Sequence, residues 1–114
     1  MLFIQNGYIK PMVGPDLPSG CILIDDQGKI ARVAPEMEAP ESARVIDAGG
    51  RLVTPGCVEA HCHVGLDNEG TNWEGHDFNE IIDPISPHLR AIDAINPQDE
   101  GFTMALQGGI TAVC

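Results

Sequence analysis

The second half of the chain follows a strand, long loop, helix, strand pattern, which limits its folds more than any other feature. Residues 57–64 form an apolar run after the break at Pro55 and Gly56, and residues 110–114 form a second strand-like run. Two strands joined through a helix are expected to be parallel neighbours. A single unit of this kind cannot bury both faces of its strands, so it is not a complete domain.

The helix between these strands has start and stop signals. Asn96 is the predicted N-cap and Pro97 the first helical residue, with acidic residues in the first turn. Gly108 and Gly109 are expected to end the helix. The acidic, aperiodic segment at residues 65–87 is much longer than the usual connection of about two to six residues. This length indicates either a functional loop or disorder.

The first half of the chain alternates short apolar runs with turn residues, as small antiparallel strands do. Residues 21–24 and 30–33 flank a polar turn at residues 25–29. This arrangement predicts a β-hairpin in which Gly28 takes the positive φ that the turn requires.

Two other turns are predicted in this half. The first strand is expected to end at Asn6 and Gly7. Short strands at residues 45–46 and 51–54 are expected to flank a glycine-containing turn at residues 47–50.

Charge and length exclude several classes of protein. The 114 residues carry a net charge of −11 at pH 7, which argues against a nucleic-acid or membrane-surface partner, because either would need a basic surface. No segment approaches the roughly 20 apolar residues of a membrane span, and the first residues lack the features of a secretory signal. The expected location is the cytoplasm, where the four cysteines would remain free thiols.

The apolar run at residues 57–64 contains the main candidate site. Alternation along a strand would place His61 and His63 on one face, with Cα atoms about 6–7 Å apart, so that both imidazoles could bind one cation. Cys62 would face the opposite way. Glu59 shares the parity of the histidines and could be a further ligand or a carboxylate that fixes a histidine tautomer. The competing interpretation is that the histidines only cap the strand or bind backbone groups.

Four residues of the acidic segment are weaker candidates for substrate contacts: His76, Glu80, His88 and Arg90. The two histidines lie among carboxylates, where a second metal or a substrate could bind, but a solvated acidic loop explains the same pattern. Arg90 could pair with a substrate carboxylate, or it could form a local ion pair with Asp93 or Glu80.

Residues 54–63, TPGCVEAHCH, resemble the Pro-Gly-x-x-Asp-x-His-x-His signature of the amidohydrolase superfamily of metal-dependent hydrolases. Glu59 stands where this signature has Asp. The strands upstream are similar to the N-terminal β-sandwich strands of the family. Residues 83–97, DPISPHLRAIDAINP, look like a segment of bacterial amidohydrolases close to imidazolonepropionase.

The resemblance implies an α/β fold that opens with an incomplete β-sandwich segment, residues 1–54. The first βα units of a TIM-like (β/α)8 barrel would follow at residues 55–114. It also implies a hydrolase that cleaves C–N bonds, in a cyclic amide or related small-molecule substrate, with metal-activated water. His61 and His63 would be two ligands of a divalent metal, zinc in the first place, with iron or manganese as alternatives.

By the same resemblance, the remaining ligands of the family come from later strands. The chain by itself is therefore expected to be an inactive N-terminal fragment. Unpaired strand edges are expected to favour its self-association. The alternative interpretation is a short, non-catalytic β-rich module that binds a partner or dimerises, with vestigial histidines.

Overall fold

The computed structural model describes residues 1–114 as two compact units, Met1–Pro55 and Gly56–Cys114. The boundary between them follows Pro55, whereas the sequence prediction places it after residue 54. Strands dominate the regular structure and only one α-helix is present, which confirms the β-rich character expected of the chain. The single α-helix has eight residues, which is too short to span a membrane.

The first unit is one sheet of five strands: β1 (Leu2–Ile9), β2 (Leu17–Ile24), β3 (Ile30–Ala34), β4 (Arg44–Asp47) and β5 (Leu52–Val53). Their order is β3-β2-β1-β4, and β5 also pairs with β1. β2 and β3 are antiparallel neighbours, and Gly28 in their turn has a φ of 76°, so the predicted hairpin is confirmed. The Asp25 carboxylate closes this turn by accepting hydrogen bonds from the N–H groups of Gln27 and Lys29.

The core of the first unit lies on one face of β1. Three buried residues of this strand share one parity, as alternation along a strand requires: Phe3, Gly7 and Ile9. Phe3 is the largest fully buried side chain of the chain, at 1% exposure. The other buried apolar residues come from the remaining parts of the unit: Ile22, Ala34 and Ala48. This core is small, and Phe3 is its principal side chain.

The prediction that the first strand ends at Asn6 and Gly7 is wrong, because β1 continues to Ile9. Asn6 has a positive φ of 56°, a conformation that asparagine tolerates better than most residues. The pairing with β2 is irregular here and includes Gly7 opposite Gly20. The Asn-Gly pair therefore lies at an irregularity within the strand and does not form a turn.

The sequence predicts antiparallel strands throughout this half of the chain. The two strands near residues 45–54 do not follow that prediction. β4 runs parallel to the first part of β1, and β5 runs parallel to its end. The backbone forms a turn between β4 and β5, in which Gly49 and Gly50 have positive φ. The Gly50 N–H donates to the Asn6 C=O at 2.7 Å. The turn thus lies opposite the irregularity in β1, which a local reading of the sequence cannot reveal.

Asp47 holds this turn through its carboxylate. It accepts hydrogen bonds from the Gly49 N–H at 2.8 Å and from the Asn6 side-chain amide at 3.0 Å. These bonds hold the pKa of Asp47 below its ordinary value of 3.8, and the bond from Gly49 has the largest effect. A carboxyl group whose pKa is lowered by folding stabilises the fold above its unfolded-state pKa. That contribution disappears as the pH falls through the folded-state pKa.

We therefore expect acid to destabilise the wild type more than Asp47→Asn once the pH falls below 3.8. The asparagine retains an oxygen that can accept the Gly49 hydrogen bond but has no charge to lose. Urea unfolding of both proteins at pH 7 and at a series of lower pH values measures the difference. Parallel losses of stability in the two proteins would show that the Asp47 charge does not hold the turn.

The second unit contains β6 (Cys57–Glu59), α1 (Glu100–Gln107) and β7 (Ile110–Val113). β6 and β7 pair in parallel, as the strand, loop, helix, strand pattern predicts. α1 ends at Gln107, with Gly108 as its C-cap, and Gly109 follows with a φ of 85°. The predicted stop signal is therefore confirmed.

The start of α1 is later than predicted. Asp99, and not Asn96, is the N-cap, and its carboxylate accepts a hydrogen bond from the Gly101 N–H at 2.6 Å. Asp99 is only 6% exposed and also accepts from the Glu69 N–H at 3.1 Å. The Asn96 side chain instead accepts from the Gln98 N–H within its own turn. The helix therefore begins after Asp99, whose buried carboxylate caps the first turn and also binds the loop at Glu69.

The connection between β6 and α1 is irregular, as predicted. It contains two short 3₁₀ turns, at Trp73–Gly75 and Ala91–Asp93. Asp67 and His76 form its one isolated β-bridge. Several large apolar side chains of this segment are exposed to solvent: Trp73, Ile81, Ile82, Ile85 and Ile92.

Candidate functional site

The strand that leads to the candidate site is shorter than predicted. β6 ends at Glu59, and His61 and His63 lie in the bend after it, not in a strand over residues 57–64. The last hydrogen bond of the β6–β7 ladder runs from the Cys114 N–H to the Glu59 C=O at 3.0 Å. Strand alternation therefore cannot explain how the two histidines are related.

The imidazole rings of His61 and His63 are nevertheless neighbours. Their centroids lie 5.4 Å apart with an interplanar angle of 70°, and both side chains are exposed. Two imidazoles on one tetrahedral zinc ion have centroids roughly 5 Å apart, because each Zn–N bond is about 2.0–2.1 Å long. The observed spacing therefore fits two ligands of one metal ion.

The Glu59 carboxylate contacts the backbone beside these rings. Its Oε1 accepts a hydrogen bond from the His61 N–H at 3.1 Å, which closes the bend after β6. No group of three or more His, Cys, Asp or Glu side chains is arranged to hold a metal ion. The chain thus offers two neighbouring imidazoles, and a role for Glu59 as a ligand or tautomer-fixing group stays a prediction.

Two further rings extend the histidine pair. Phe78 stacks on His63, with centroids 4.6 Å apart and an interplanar angle of 15°. The His76 ring is 5.6 Å from Phe78, and His76 Nε2 lies 3.1 Å from Asp67 Oδ1. Phe78 is therefore part of the site, but sequence reasoning missed it because no spacing rule connects it with His63.

The other loop candidates gather around a separate cavity of about 390 Å³. Glu80, His88 and Arg90 line it, whereas the two histidines after β6 do not. Arg90 donates two hydrogen bonds to the Asp93 carboxylate, at 3.1 and 2.9 Å. This is the local ion pair that the sequence offered as the alternative to a substrate contact.

Backbone groups occupy the Glu80 carboxylate. Its Oε1 accepts hydrogen bonds from the Ile82 N–H and from the Asp83 N–H. These bonds hold the pKa of Glu80 below its ordinary value of 4.5, and the bond from Ile82 has the largest effect. The charge of His88 lowers the pKa further. Glu80 therefore organises its own loop. A substrate contact by Glu80, His88 or Arg90 stays a prediction.

A short ladder holds the loop against the turn that follows the candidate site. The Asp77 N–H donates to the Leu66 C=O at 2.7 Å, and the Asn68 N–H donates to the Gly75 C=O at 3.0 Å. Gly75 is buried, and a Cβ at this position would overlap the Thr71 hydroxyl. The ladder therefore requires a glycine at residue 75.

We expect Gly75→Ala to lower the free energy of opening this ladder by about 1–3 kcal/mol, the usual cost of forcing a methyl group into filled space. Hydrogen exchange at the Asn68 and Asp77 amides measures this free energy. Gly108→Ala is a control outside the ladder: its added Cβ would come within 3.3 Å of the Ala105 carbonyl oxygen, a close contact without overlap, so exchange at the Asn68 and Asp77 amides should stay at the wild-type value. Unchanged exchange in Gly75→Ala would refute the tight packing at this position.

Several proteins of known family are similar to this chain. An amidohydrolase, tasK, from Hapsidospora irregularis is 37% identical over 97 residues, which cover 82% of this chain and 10% of that protein. A dihydroorotase from Anaeromyxobacter dehalogenans is 34% identical over 115 residues, covering 100% of this chain and 21% of its own length. A 5-methylthioadenosine/S-adenosylhomocysteine deaminase from Symbiobacterium thermophilum is 38% identical over 121 residues, covering 96% of this chain and 27% of its own length.

The chain spans about a tenth to a quarter of the length of these curated relatives. A scan against protein-family models finds no match. The crystal structure of an amidohydrolase from Thermotoga maritima MSB8 matches 99% of this chain and 29% of its own, with a TM-score of 0.89 at 35% identity. The matches in sequence and in backbone thus both extend over most or all of the chain, and the chain belongs to the amidohydrolase superfamily.

Proposed function

We propose that His61 and His63 are two metal ligands of a hydrolase that cleaves a non-peptide C–N bond in a cyclic amide or related small molecule. The observation that carries this proposal is the 5.4 Å spacing of the two imidazole centroids just after β6. In α/β folds, catalytic groups lie at the carboxyl ends of parallel strands. The names of the relatives, a dihydroorotase and a deaminase among them, support a C–N bond as the target.

The metal is a divalent ion, zinc in the first place, with iron or manganese as alternatives, because neutral imidazole binds all three. When bound, such an ion lowers the pKa of a water molecule toward neutrality and polarises the carbon under attack. His61 and His63 would each offer a ring nitrogen, which requires both imidazoles to be neutral. Glu59 holds the His61 backbone in place after β6 through its 3.1 Å hydrogen bond.

We also propose that the second unit is the start of a (β/α)8 barrel and that the first unit is part of a composite β-sandwich domain. The parallel pairing of β6 with β7 supports the barrel assignment. A closed barrel of this type has eight parallel strands, and β6 and β7 would supply two of them. Exposed strand edges of this kind favour pairing between copies, so we propose that the free chain self-associates.

The chain by itself is proposed to lack hydrolase activity. A catalytic zinc normally has three protein ligands, and no third donor stands with the two imidazoles. An assay of the zinc-loaded chain against cyclic amides should therefore show no turnover. Turnover that disappears in His61→Ala would mean that the chain holds a more complete site.

A graft tests the proposed function in an intact enzyme. The 114 residues would replace the matching segment of the Anaeromyxobacter dehalogenans dihydroorotase, to which they are 34% identical. We expect a folded graft to bind zinc and to hydrolyse dihydroorotate. Activity and zinc should be lost with His61→Ala or His63→Ala, whereas zinc should be kept with His88→Ala. A folded, active graft that tolerates both ligand substitutions would overturn the proposal.

A further inference from the structure

We propose that Phe78 is a positioning residue, whose ring holds the His63 imidazole in the orientation that binds metal. This inference rests on the proposed function, since it treats His63 as a ligand. Phe78 offers no donor atom to a metal, so any effect it has on binding must act through His63. The His63 and Phe78 rings are nearly parallel, at 15°, with centroids 4.6 Å apart.

The stack restricts the rotation of His63. Stacked aromatic rings attract each other by more than their buried area accounts for, and rotation of the imidazole about its χ2 angle would break the parallel contact. A ligand whose side chain is already ordered loses less conformational freedom when it binds. The His61 ring also contacts His63, edge to face at 70°, but His61 is itself a proposed ligand and is therefore not an independent support. Phe78 is therefore the group that fixes the plane of His63.

The backbone delivers Phe78 to this position through the turn that His63 itself begins. The His63 C=O accepts hydrogen bonds from the Leu66 and Asp67 N–H groups, both at 2.8 Å. The returning segment then pairs with this turn, where the Asp77 N–H donates to the Leu66 C=O at 2.7 Å. Phe78 follows Asp77 directly, so the same turn orders both stacked rings.

The neighbouring His76 and Asp67 support the arrangement. Their backbones form a β-bridge, and His76 Nε2 lies 3.1 Å from Asp67 Oδ1. The His76 ring is tilted by 43° against Phe78 at a centroid distance of 5.6 Å. The Phe78 ring thus contacts two neighbouring rings, those of His63 and His76. Its side chain is 39% exposed. Its position depends on these contacts more than on burial in a core.

Nuclear magnetic resonance of the imidazole groups tests the proposal on the full chain. Without metal, the ring current of Phe78 should shift the His63 ring protons upfield of those of His88. Phe78→Leu should abolish this shift, whereas Phe78→Tyr, which keeps a ring, should retain it. Trp73→Ala is the matched control, because it removes an aromatic ring from the same loop. Trp73 is 77% exposed.

Titration of the same samples with zinc gives the dissociation constant. We expect Phe78→Leu to raise this constant about two- to tenfold, and Phe78→Tyr and Trp73→Ala to leave it at the wild-type value. Phe78→Met is a second ring-free variant, and exchange at the Asp77 amide shows whether the ladder is intact in each protein. Wild-type zinc affinity in a ring-free variant, or no upfield shift in the wild type, would overturn the proposal.

The two proposals fail in different ways. If the wild type and His61→Ala bind zinc equally, the metal site is wrong, even when the upfield shift of His63 proves the stack. If zinc binding needs both histidines but Phe78→Leu binds as the wild type does, only the role of Phe78 is wrong.

Discussion

Replacing Phe3 by alanine is expected to destabilise the first unit by about 3–5 kcal/mol, the usual cost of removing a buried phenylalanine. Phe3 is 1% exposed and is the largest fully buried side chain of the chain. It also lies on β1, the strand with which β2, β4 and β5 all pair. Because domains are stable by only about 5–15 kcal/mol, this single cavity would remove much of the stability of the unit.

Urea unfolding followed through the amide signals of β1 measures this effect. Ile30→Ala on β3 is the matched control, since Ile30 is 66% exposed and its replacement should change the stability by about 0.5 kcal/mol or less. Similar losses in the two variants would mean that the buried face of β1 does not hold the unit together.

Replacing either His61 or His63 by alanine is expected to weaken zinc binding by about 10- to 100-fold or more. Removal of a group that only hydrogen-bonds to a metal ligand already costs about 10- to 100-fold in metal affinity, and loss of the ligand itself should cost at least as much. The two rings are 5.4 Å apart and no third donor stands with them. A single remaining imidazole would therefore bind little better than a free histidine. The double variant, which has neither imidazole, should bind at least as weakly as either single variant.

Competition with a chelating dye measures these affinities. His88→Ala is the control, because it removes an imidazole that lines a different cavity. Loss of binding in His88→Ala, with retention in His61→Ala, would move the metal site into the acidic loop.

Local sequence signals predicted those parts of the fold that depend on neighbouring residues. The hairpin between β2 and β3 follows from Gly28 and from the self-contained turn at Asp25. The end of α1 follows from Gly108 and Gly109, which stop a helix through their own backbone preferences. The resemblance of residues 54–63 to a family signature led to the correct superfamily.

Distant contacts decided the features that the sequence did not predict. β1 passes through Asn6 because the turn after β4 lies against it. α1 starts at Asp99 because this carboxylate is buried and also binds Glu69. Phe78 reaches His63 only through the ladder at residues 66–77. None of these pairings is visible in local spacing.

X-ray absorption at the zinc K-edge of the zinc-loaded chain decides whether His61 and His63 bind one metal ion. We predict scattering from two imidazole nitrogens at about 2.0–2.1 Å, reduced to one in His61→Ala and in His63→Ala. A spectrum without imidazole scattering, or with two imidazoles that survive both substitutions, would contradict the proposed metal site.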